Sequence, residues 1–247
     1  MLVLVDDKIF RFIDEPGIFN HLYQIERKES YLYHHSLDVA IISGILARWL
    51  ELPNQDVNDV VLAGLLHDIG KVLVPSGILD KPGKLTPEEQ EAIMLHSSYG
   101  SKLIKKLKYI SNKVNLAVFQ HHERVDGSGY PLKASTEKIY LPAKIIGIAD
   151  VYGAVTSNRV YKQRISPFDA VGVLEDMMGS LDISICMAFL NNIKDCFIGN
   201  NVLLSDRREA KVIYWSKFKH ARPIVQTIDG ECFSLEKTQV NIVDFLG

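Results

Sequence analysis

Apolar residues recur at helical spacing from about residue 30 to 195, which predicts a mainly α fold built as a helical bundle. The segment 57–72 is apolar nearly all round, as expected of a buried central helix. Thr86 is the expected N-cap of a later helix, and Pro87 its first residue. The predicted helices cover 36–52, 57–72, 84–107, 111–122, 143–157, 167–178 and 182–194. Between them, "VPSGILDKPGK" and "ERVDGSGYPLKAS" are predicted to be loops.

The pattern changes to short β-rich runs after about residue 195. The pair Asp229-Gly230, flanked by "IVQTI" and "ECFSL", predicts a hairpin. We therefore expect a small β-rich C-terminal appendage at 196–247, following a helical domain at 30–195. Residues 1–29 are weakly patterned and are taken as a lead-in, with no receiver, PAS or transmembrane sensor module predicted among them.

Composition narrows the function classes. The chain has 247 residues, of which 47% are hydrophobic, and a net charge of −2, so no global basic surface points to a nucleic-acid polymer. The basic run at 101–113 carries apolar residues at helical spacing, so its lysines are interpreted as a solvated helix face. The opening run "MLVLV" is too short for a signal peptide, and no run is long enough for a membrane helix. Three cysteines without CxxC spacing predict a reduced, cytoplasmic protein whose thiols bind no metal.

Six of the eight histidines fall between residues 34 and 122, on or at the ends of predicted helices. Any one of them alone is explained as a hydrogen-bonded core or surface residue. The pair His67-Asp68 ends an apolar helix, however, and is costly to bury without partners. Together the histidines are expected to converge on a site in the bundle core. Imidazole and carboxylate without thiolate favour Fe, Mn, Zn, Ni or Co over a cysteine-type structural zinc.

Six motifs follow one another along the chain: "HHSLDVA", "LLHDIGK", "GILDKPGKLTPEE", "LHSSYGSKLI", "HHERVDGSGYP" and "IIGIADVYGAVTSNRVYK". In this order and approximate spacing they resemble the HD-GYP subgroup of the HD-superfamily phosphohydrolases, over about residues 30–195. The resemblance implies an all-α bundle that hydrolyses cyclic di-GMP or a related cyclic dinucleotide.

The resemblance also implies roles for individual residues. The implied metal ligands are His35, His67, Asp68, His96, His121, His122 and Asp150. Asp68 would bridge two divalent ions, with iron or manganese favoured, and would act in catalysis with Lys71. The implied substrate-binding residues are Lys71, Gly129, Tyr130, Pro131, Arg159 and Lys162. Whether Tyr130 contacts nucleotide or a protein partner is open at this stage, and each of the three cations is also explained as an ordinary surface charge.

Two positions depart from the family pattern. Tyr31 stands one helical turn before His35, where members with a third metal have Glu, and Glu29 and Glu26 lie off that helix face. A binuclear site is therefore predicted rather than a trinuclear one. Gly153 stands where Asp is common in the "DxxD" pattern, which leaves Asp150 as the retained ligand.

The leading hypothesis is a metal-dependent phosphodiesterase that cleaves cyclic di-GMP to pGpG, with onward hydrolysis to GMP left open. Two ions about 3.5–4 Å apart lower the pKa of a shared water, so that a metal-bridged hydroxide attacks phosphorus in line. One alternative is a phosphohydrolase for another nucleotide, such as cyclic GMP-AMP or a dNTP. A second alternative is a non-catalytic module. It would bind cyclic di-GMP, or would dock a diguanylate cyclase or another protein through the GYP loop, residues 126–131. A homodimer contact through the β appendage is also open.

Overall fold

The computed structural model describes residues 31–79, 81–157, 165–218 and 222–246, and the predicted mainly helical fold is confirmed. The lead-in at 1–29 lies outside these residues. No described helix is both long and apolar enough to cross a membrane. The α-helices are α1 (Tyr31–Trp49), α2 (Asn54–Leu66), α3 (Ser76–Leu79), α4 (Pro87–Met94), α5 (His96–Ile104), α6 (Asn112–Gln120), α7 (Leu141–Thr156), α8 (Pro167–Asp176) and α9 (Ile183–Phe197).

The helical bundle is organised around α1, α2 and α7. Helix α1 packs along α2 and α7, while α6 packs against α2, α5 and α7. Their facing side chains are almost all aliphatic and fully buried, for example Leu46, Val60 and Ile146. The core of the bundle is therefore built from the apolar stripes that the sequence displays.

The prediction of one continuous helix over 57–72 was wrong. Helix α2 ends at Leu66, and a 3₁₀ segment follows at Ile69–Leu73. The imidazole of His67 donates to the Gly64 carbonyl, which a continuing α-helix would offer to a backbone N–H. Gly70 then lies so close to α5 that a Cβ would overlap the His96 carbonyl. Only glycine permits this approach.

The predicted helix at 84–107 is two helices, α4 and α5, divided at Leu95. The physical reason is the same, because the His96 side chain donates to the carbonyl of Ile93 at the end of α4. The predicted start is confirmed: Thr86 caps α4 in a capping box with Glu89. The loop predicted before it contains one helical turn, α3.

The C-terminal segment forms one antiparallel sheet in the order β4-β3-β2-β1-β5. Its strands are β1 (Asn201–Leu204), β2 (Glu209–Tyr214), β3 (Ile224–Thr227), β4 (Cys232–Ser234) and β5 (Ile242–Leu246). The predicted Asp229-Gly230 hairpin is confirmed as the β3–β4 connection. A 3₁₀ turn at Leu235–Lys237 then leads the chain to β5, which pairs with β1.

The sheet shares one hydrophobic core with the helices. The rings of Phe168 on α8 and Phe197 on α9 lie 4.9 Å apart, and Phe168 stacks on Trp215, which follows β2, at 5.2 Å. Beside them the fully buried Lys194 on α9 donates to Glu175 on α8 at 2.7 Å and to the Phe218 carbonyl at 3.2 Å. The β unit is thus packed onto the bundle through apolar rings and a buried ion pair.

Candidate metal centre

The structure brings the seven predicted ligands together from five places in the bundle. Asp68 and His122 are half-buried and the other five are buried. They are His35 on α1, His67 and Asp68 after α2, His96 at the start of α5, His121 and His122 after α6, and Asp150 on α7. Residues separated by up to 115 positions in the chain therefore share one site.

Three of the histidines are held by the same device. The Nδ1 atoms of His67, His96 and His121 each lie 2.7 Å from the backbone carbonyl three residues earlier. Each of these carbonyls lies in the last turn of a helix, where the backbone lacks intrahelical donors. A ring that donates from Nδ1 presents a lone pair at Nε2, and such hydrogen bonds orient metal-ligating imidazoles. The helix ends thus fix the tautomer that coordination requires.

The histidines form two groups, and a carboxylate reaches both. One group is His96, His121 and His122, and the other is His35, His67 and Asp68. Asp68 spans them, because its Oδ2 lies 3.3 Å from His67 Nε2 and its Oδ1 lies 3.4 Å from His96 Nε2.

Asp150 makes the second connection between the groups. Its Oδ1 lies 3.1 Å from His35 Nε2 and 3.9 Å from His67 Nε2, while its Oδ2 lies 3.8 Å from His122 Nδ1. Asp150 is the residue whose place in the site was least evident from sequence spacing, since it lies in the middle of an apolar helix. The geometry is that of two imidazole groups joined by two carboxylates.

Burial sets the protonation of one histidine group. It lowers the pKa of His96, holds that of His121 well below its usual value, and lowers that of His122 to about 3. These imidazoles are therefore neutral near pH 7 and have lone pairs available for a cation.

The carboxylates of Asp68 and Asp150 have the opposite effect in the rest of the site, because they favour positive charge beside them. Burial opposes their ionisation, but the charges of His67 and Lys71 hold the pKa of Asp68 well below its usual value. The hydrogen bond from His35 does the same for Asp150. Burial also opposes protonation of His67, yet the neighbouring Asp68 raises its pKa. The position between these side chains thus favours a positive charge.

The arrangement fits divalent metal ions. Nε2 of His67 and Oδ1 of Asp68 are buried, and neither makes a hydrogen bond within the part of the chain that the structure describes. Buried polar atoms without hydrogen bonds are costly, and a cation between them would remove that cost. Nitrogen and carboxylate donors without sulfur suit iron, manganese or zinc.

Lys71 lies at the edge of this site. Its Nζ donates to Oδ2 of Asp68 at 2.6 Å, and about a quarter of its side chain (27%) is exposed. The two residues lie three apart on a 3₁₀ segment, where positions i and i+3 eclipse each other. The expectation that Lys71 reaches the same face as Asp68 is therefore confirmed.

The GYP loop covers the other side of the site. The Tyr130 ring lies against His122, with ring centroids 4.6 Å apart. Gly129 is buried, and a Cβ there would overlap the backbone of His122 and Arg124. The Tyr130–Pro131 peptide bond is cis. The loop thus folds back tightly onto the two histidines that precede it, while the substrate-binding roles of Gly129, Tyr130 and Pro131 stay predictions.

Two polar residues beside the paired histidines were missed by sequence reasoning. The buried Glu123 accepts hydrogen bonds from the backbone N–H groups of Leu132 at 2.6 Å and Ala134 at 2.9 Å. Gln120 accepts from the N–H of Tyr140 and donates to the carbonyl of Lys138, both at 2.9 Å. The available signal was their position, since both flank His121-His122 in "QHHE" and neither is needed for a turn.

Other predicted positions fall elsewhere. Arg159 and Lys162 lie in 158–164, outside the described residues, as does the side chain of Tyr31. Gly153 borders the site, because a Cβ built there would lie 3.5 Å from His35 Nδ1. His34, the neighbour of His35, belongs to neither histidine group.

The sequence matches known proteins over the region that carries this site. The HD domain family profile matches residues 20–185. A cyclic di-GMP phosphodiesterase of Pseudomonas aeruginosa is 36% identical over 210 residues, or 85% of this chain and 51% of that protein. A 3′3′-cGAMP-specific phosphodiesterase of Vibrio cholerae is 34% identical over 166 residues, or 67% of this chain and 36% of that protein. The chain spans about half or less of the length of these curated relatives.

Solved structures share the fold at lower identity. An HDG"Y"P protein from Bdellovibrio bacteriovorus superposes with a TM-score of 0.56 at 18% identity, covering 78% of this chain and 67% of that one. A cyclic GMP-AMP phosphodiesterase of Vibrio cholerae gives 0.53 at 16% identity, covering 73% and 49%. The family profile, the curated relatives and the shared fold agree with the motifs: the chain belongs to the HD-GYP family of the HD superfamily.

Proposed function

We propose that this protein is a metal-dependent phosphodiesterase that hydrolyses cyclic di-GMP to pGpG. The observation that carries the proposal is the convergence of five imidazoles and two carboxylates on one site beside Lys71 and Tyr130. The name of the relative from Pseudomonas aeruginosa, which matches most of the chain, supports the substrate.

The proposed metal ligands are the seven residues of the site. His35, His67 and Asp68 would serve one ion, and His96, His121 and His122 the other. Asp68 and Asp150 would link the two, since each has oxygens close to both histidine groups. When bound, divalent ions supply Lewis acidity and lower the pKa of water, which provides a nucleophile near neutral pH. Iron or manganese is the proposed identity.

In the reaction, water adds across one phosphodiester bond, which leaves a 5′-phosphate and a 3′-hydroxyl. Lys71 is proposed to balance the charge of the reacting phosphate, because its partly exposed ammonium group stands beside Asp68. Arg159 and Lys162 are proposed to hold the substrate phosphates. A turnover assay that separates pGpG from GMP shows whether the linear product is cleaved further.

Tyr130 is proposed to receive a guanine base. Its ring is already fixed against His122, and burial raises the pKa of its phenol, which therefore stays protonated. A neutral phenol on a rigid loop offers both a stacking face and a hydrogen-bond donor. The GYP loop would then define the substrate side of the site.

A second candidate substrate is cyclic GMP-AMP, because three curated relatives from Vibrio cholerae are named 3′3′-cGAMP-specific phosphodiesterases. A third reading is a module that binds a cyclic dinucleotide or a diguanylate cyclase without turnover. The chain keeps the His67-Asp68 pair and the paired histidines His121-His122, which argues for catalysis.

A turnover assay under reducing conditions with Mn²⁺ or Fe²⁺ tests the proposal. The wild type should convert cyclic di-GMP to pGpG faster than it hydrolyses cyclic GMP-AMP. The variant His67→Ala, Asp68→Ala should lose this activity. The variant His34→Ala is the matched control and should keep it. Faster turnover of cyclic GMP-AMP would favour the second substrate. If the metal-replete wild type binds the nucleotide but does not hydrolyse it, the chain is a binding module and the proposed activity is wrong.

A further inference from the structure

A groove lies between α5 and α6, and none of the proposed metal ligands is among the residues that line it. We call it the lysine groove, and its volume is about 420 Å³. The residues that define it are Leu95, Tyr99, Lys102, Lys105, Leu116 and Phe119. Leu95 is 46% exposed and Leu116 is 38% exposed, so apolar side chains face solvent here. Contiguous exposed apolar surface of this kind marks interaction sites more often than scattered single residues do.

The groove has a positively charged rim. Lys102 and Lys105 line it, and Lys106 and Lys108 follow on the same segment. All four are exposed, as expected for a solvated helix face, and none forms an ion pair with a carboxylate in the described part of the chain. The ammonium group of Lys102 lies 5.9 Å from the Tyr99 ring centroid. The whole chain has a net charge of −2, so this local charge is a property of the groove and not of the protein at large.

We propose that the lysine groove binds an acidic amphipathic segment of a partner protein. Apolar side chains of the segment would enter between Leu95, Leu116 and Phe119, and its carboxylates would meet Lys102 and Lys105. This is helix-in-groove recognition, in which buried anchors give affinity and rim charges select the partner. The volume suits a few side chains of such a segment, and the mostly apolar floor favours a peptide over a polyphosphate strand.

The experiment selects peptides with the full chain as bait, using a display library of short helix-favouring sequences. The enriched sequences should combine Leu, Ile or Phe at helical spacing with Asp and Glu. One enriched peptide is then labelled and titrated against the wild type and against Lys102→Glu, Lys105→Glu. Binding should weaken by about tenfold or more in that variant. Lys211→Glu, Lys237→Glu on the β unit is the matched control, with the same change in net charge at exposed positions, and should bind as the wild type does.

A charge-swapped twin of the peptide, with Lys at every acidic position, completes the test. It should bind the Lys102→Glu, Lys105→Glu variant better than the wild type, which a variant that merely misfolds cannot do. The proposal is overturned if the library enriches no acidic sequence, or if the charge reversal leaves affinity unchanged. Displacement of the peptide by cyclic di-GMP alone would assign the groove to nucleotide, and loss of binding on dimerisation would assign it to a second copy of this chain. Either result also overturns the proposal.

Discussion

The side chain of Glu123 accepts a hydrogen bond from the backbone N–H of Leu132, with 2.6 Å between the carboxylate oxygen and the nitrogen. Its other oxygen accepts from the N–H of Ala134 at 2.9 Å. A buried carboxylate next to His122 therefore fastens the exit of the GYP loop. The loop is held to the site by this contact and by the packing of Gly129 on the same backbone.

Replacing Glu123 with Gln should loosen the loop. An amide has one oxygen and one NH₂ group, so one of the two backbone N–H groups would face a donor and lose its acceptor. We expect the free energy of unfolding to fall by about 1–3 kcal/mol. We also expect KM for cyclic di-GMP to rise more than kcat falls, because the substrate side is displaced while the proposed metal ligands stay. Urea unfolding and steady-state kinetics measure both.

The control for this change is Glu91→Gln on the exposed face of α4. Exposed substitutions away from such contacts change stability by less than about 0.5 kcal/mol. If Glu123→Gln changes the free energy of unfolding and the kinetics no more than Glu91→Gln does, Glu123 does not anchor the loop.

Gly129→Ala should be damaging for a steric reason. The added methyl group would overlap the backbone of His122 and Arg124, which cannot move without disturbing the site. Overpacking of this kind costs about 1–3 kcal/mol. We expect that loss of stability together with reduced turnover, since Tyr130 would shift away from His122. Gly77→Ala is the matched control, because no atom lies within 4 Å of its added Cβ. Equal behaviour of the two variants, measured by thermal unfolding and turnover, would contradict the packing argument.

The sequence predicted which residues lie close together better than it predicted the helix ends. Periodicity located the helices, and the family resemblance implied seven residues that the structure brings together, while their role as metal ligands stays a prediction. It did not show that α2 ends at Leu66 or that α4 ends before His96, because both breaks depend on side-chain hydrogen bonds from His67 and His96. Helical periodicity carries no information about such bonds between a side chain and the backbone carbonyl three residues earlier.

Glu123 was missed for a related reason. Its partners, the N–H groups of Leu132 and Ala134, lie nine and eleven residues later, and only the folded loop brings them near. The lysine groove could likewise not be predicted from the sequence. The sequence shows one helix with lysines on its solvated face, but the apolar floor needs Leu116 and Phe119 from a second helix.

The buried pair of Lys194 and Glu175 should couple the β unit to the bundle. Lys194→Met removes the cation and leaves the Glu175 carboxylate in the core, where the two side chains are 1% and 3% exposed. Breaking a buried pair from one side costs about 3–5 kcal/mol. Adding Glu175→Met to the variant should recover part of this loss, because the buried carboxylate that lost the Lys194 cation is then removed as well.

The surface pair of Lys217 and Asp195 provides the comparison. Its nitrogen and oxygen are also 2.7 Å apart, but both side chains are about half exposed, at 54% and 51%. Lys217→Met should therefore cost less than about 1 kcal/mol. Urea unfolding of the three variants decides the point, and similar losses in Lys194→Met and Lys217→Met would show that burial does not matter here.

The thiol of Cys186 should not react with thiol reagents in the folded protein. Burial raises its pKa to about 12, with smaller contributions from Glu175 and Asp182. At pH 8 the thiolate is therefore scarce and shielded. Ellman's reagent should label the exposed Cys232 in the native protein and should reach Cys186 only in denaturant. Native labelling of Cys186, identified by mass spectrometry, would refute this.

The same shift has a consequence for stability at high pH. The folded pKa of Cys186 lies above that of an unfolded thiol, so its contribution is fully present below about pH 8.5. It is lost as the pH rises from there toward 12. The free energy of unfolding should therefore fall more steeply between neutral and alkaline pH in the wild type than in Cys186→Ala. Parallel curves for the two proteins would contradict the assignment.

A metal titration decides whether the chain holds a two-metal site that supports phosphodiester hydrolysis. Protein stripped of metal under anaerobic conditions is titrated with Mn²⁺ while bound metal and cyclic di-GMP turnover are measured together. We expect turnover to appear as binding approaches about two ions per chain, the number that a binuclear site holds. The variant His67→Ala, Asp68→Ala should neither bind both ions nor turn over substrate. Binding of about three ions per chain, or turnover that does not depend on added metal, would contradict this expectation.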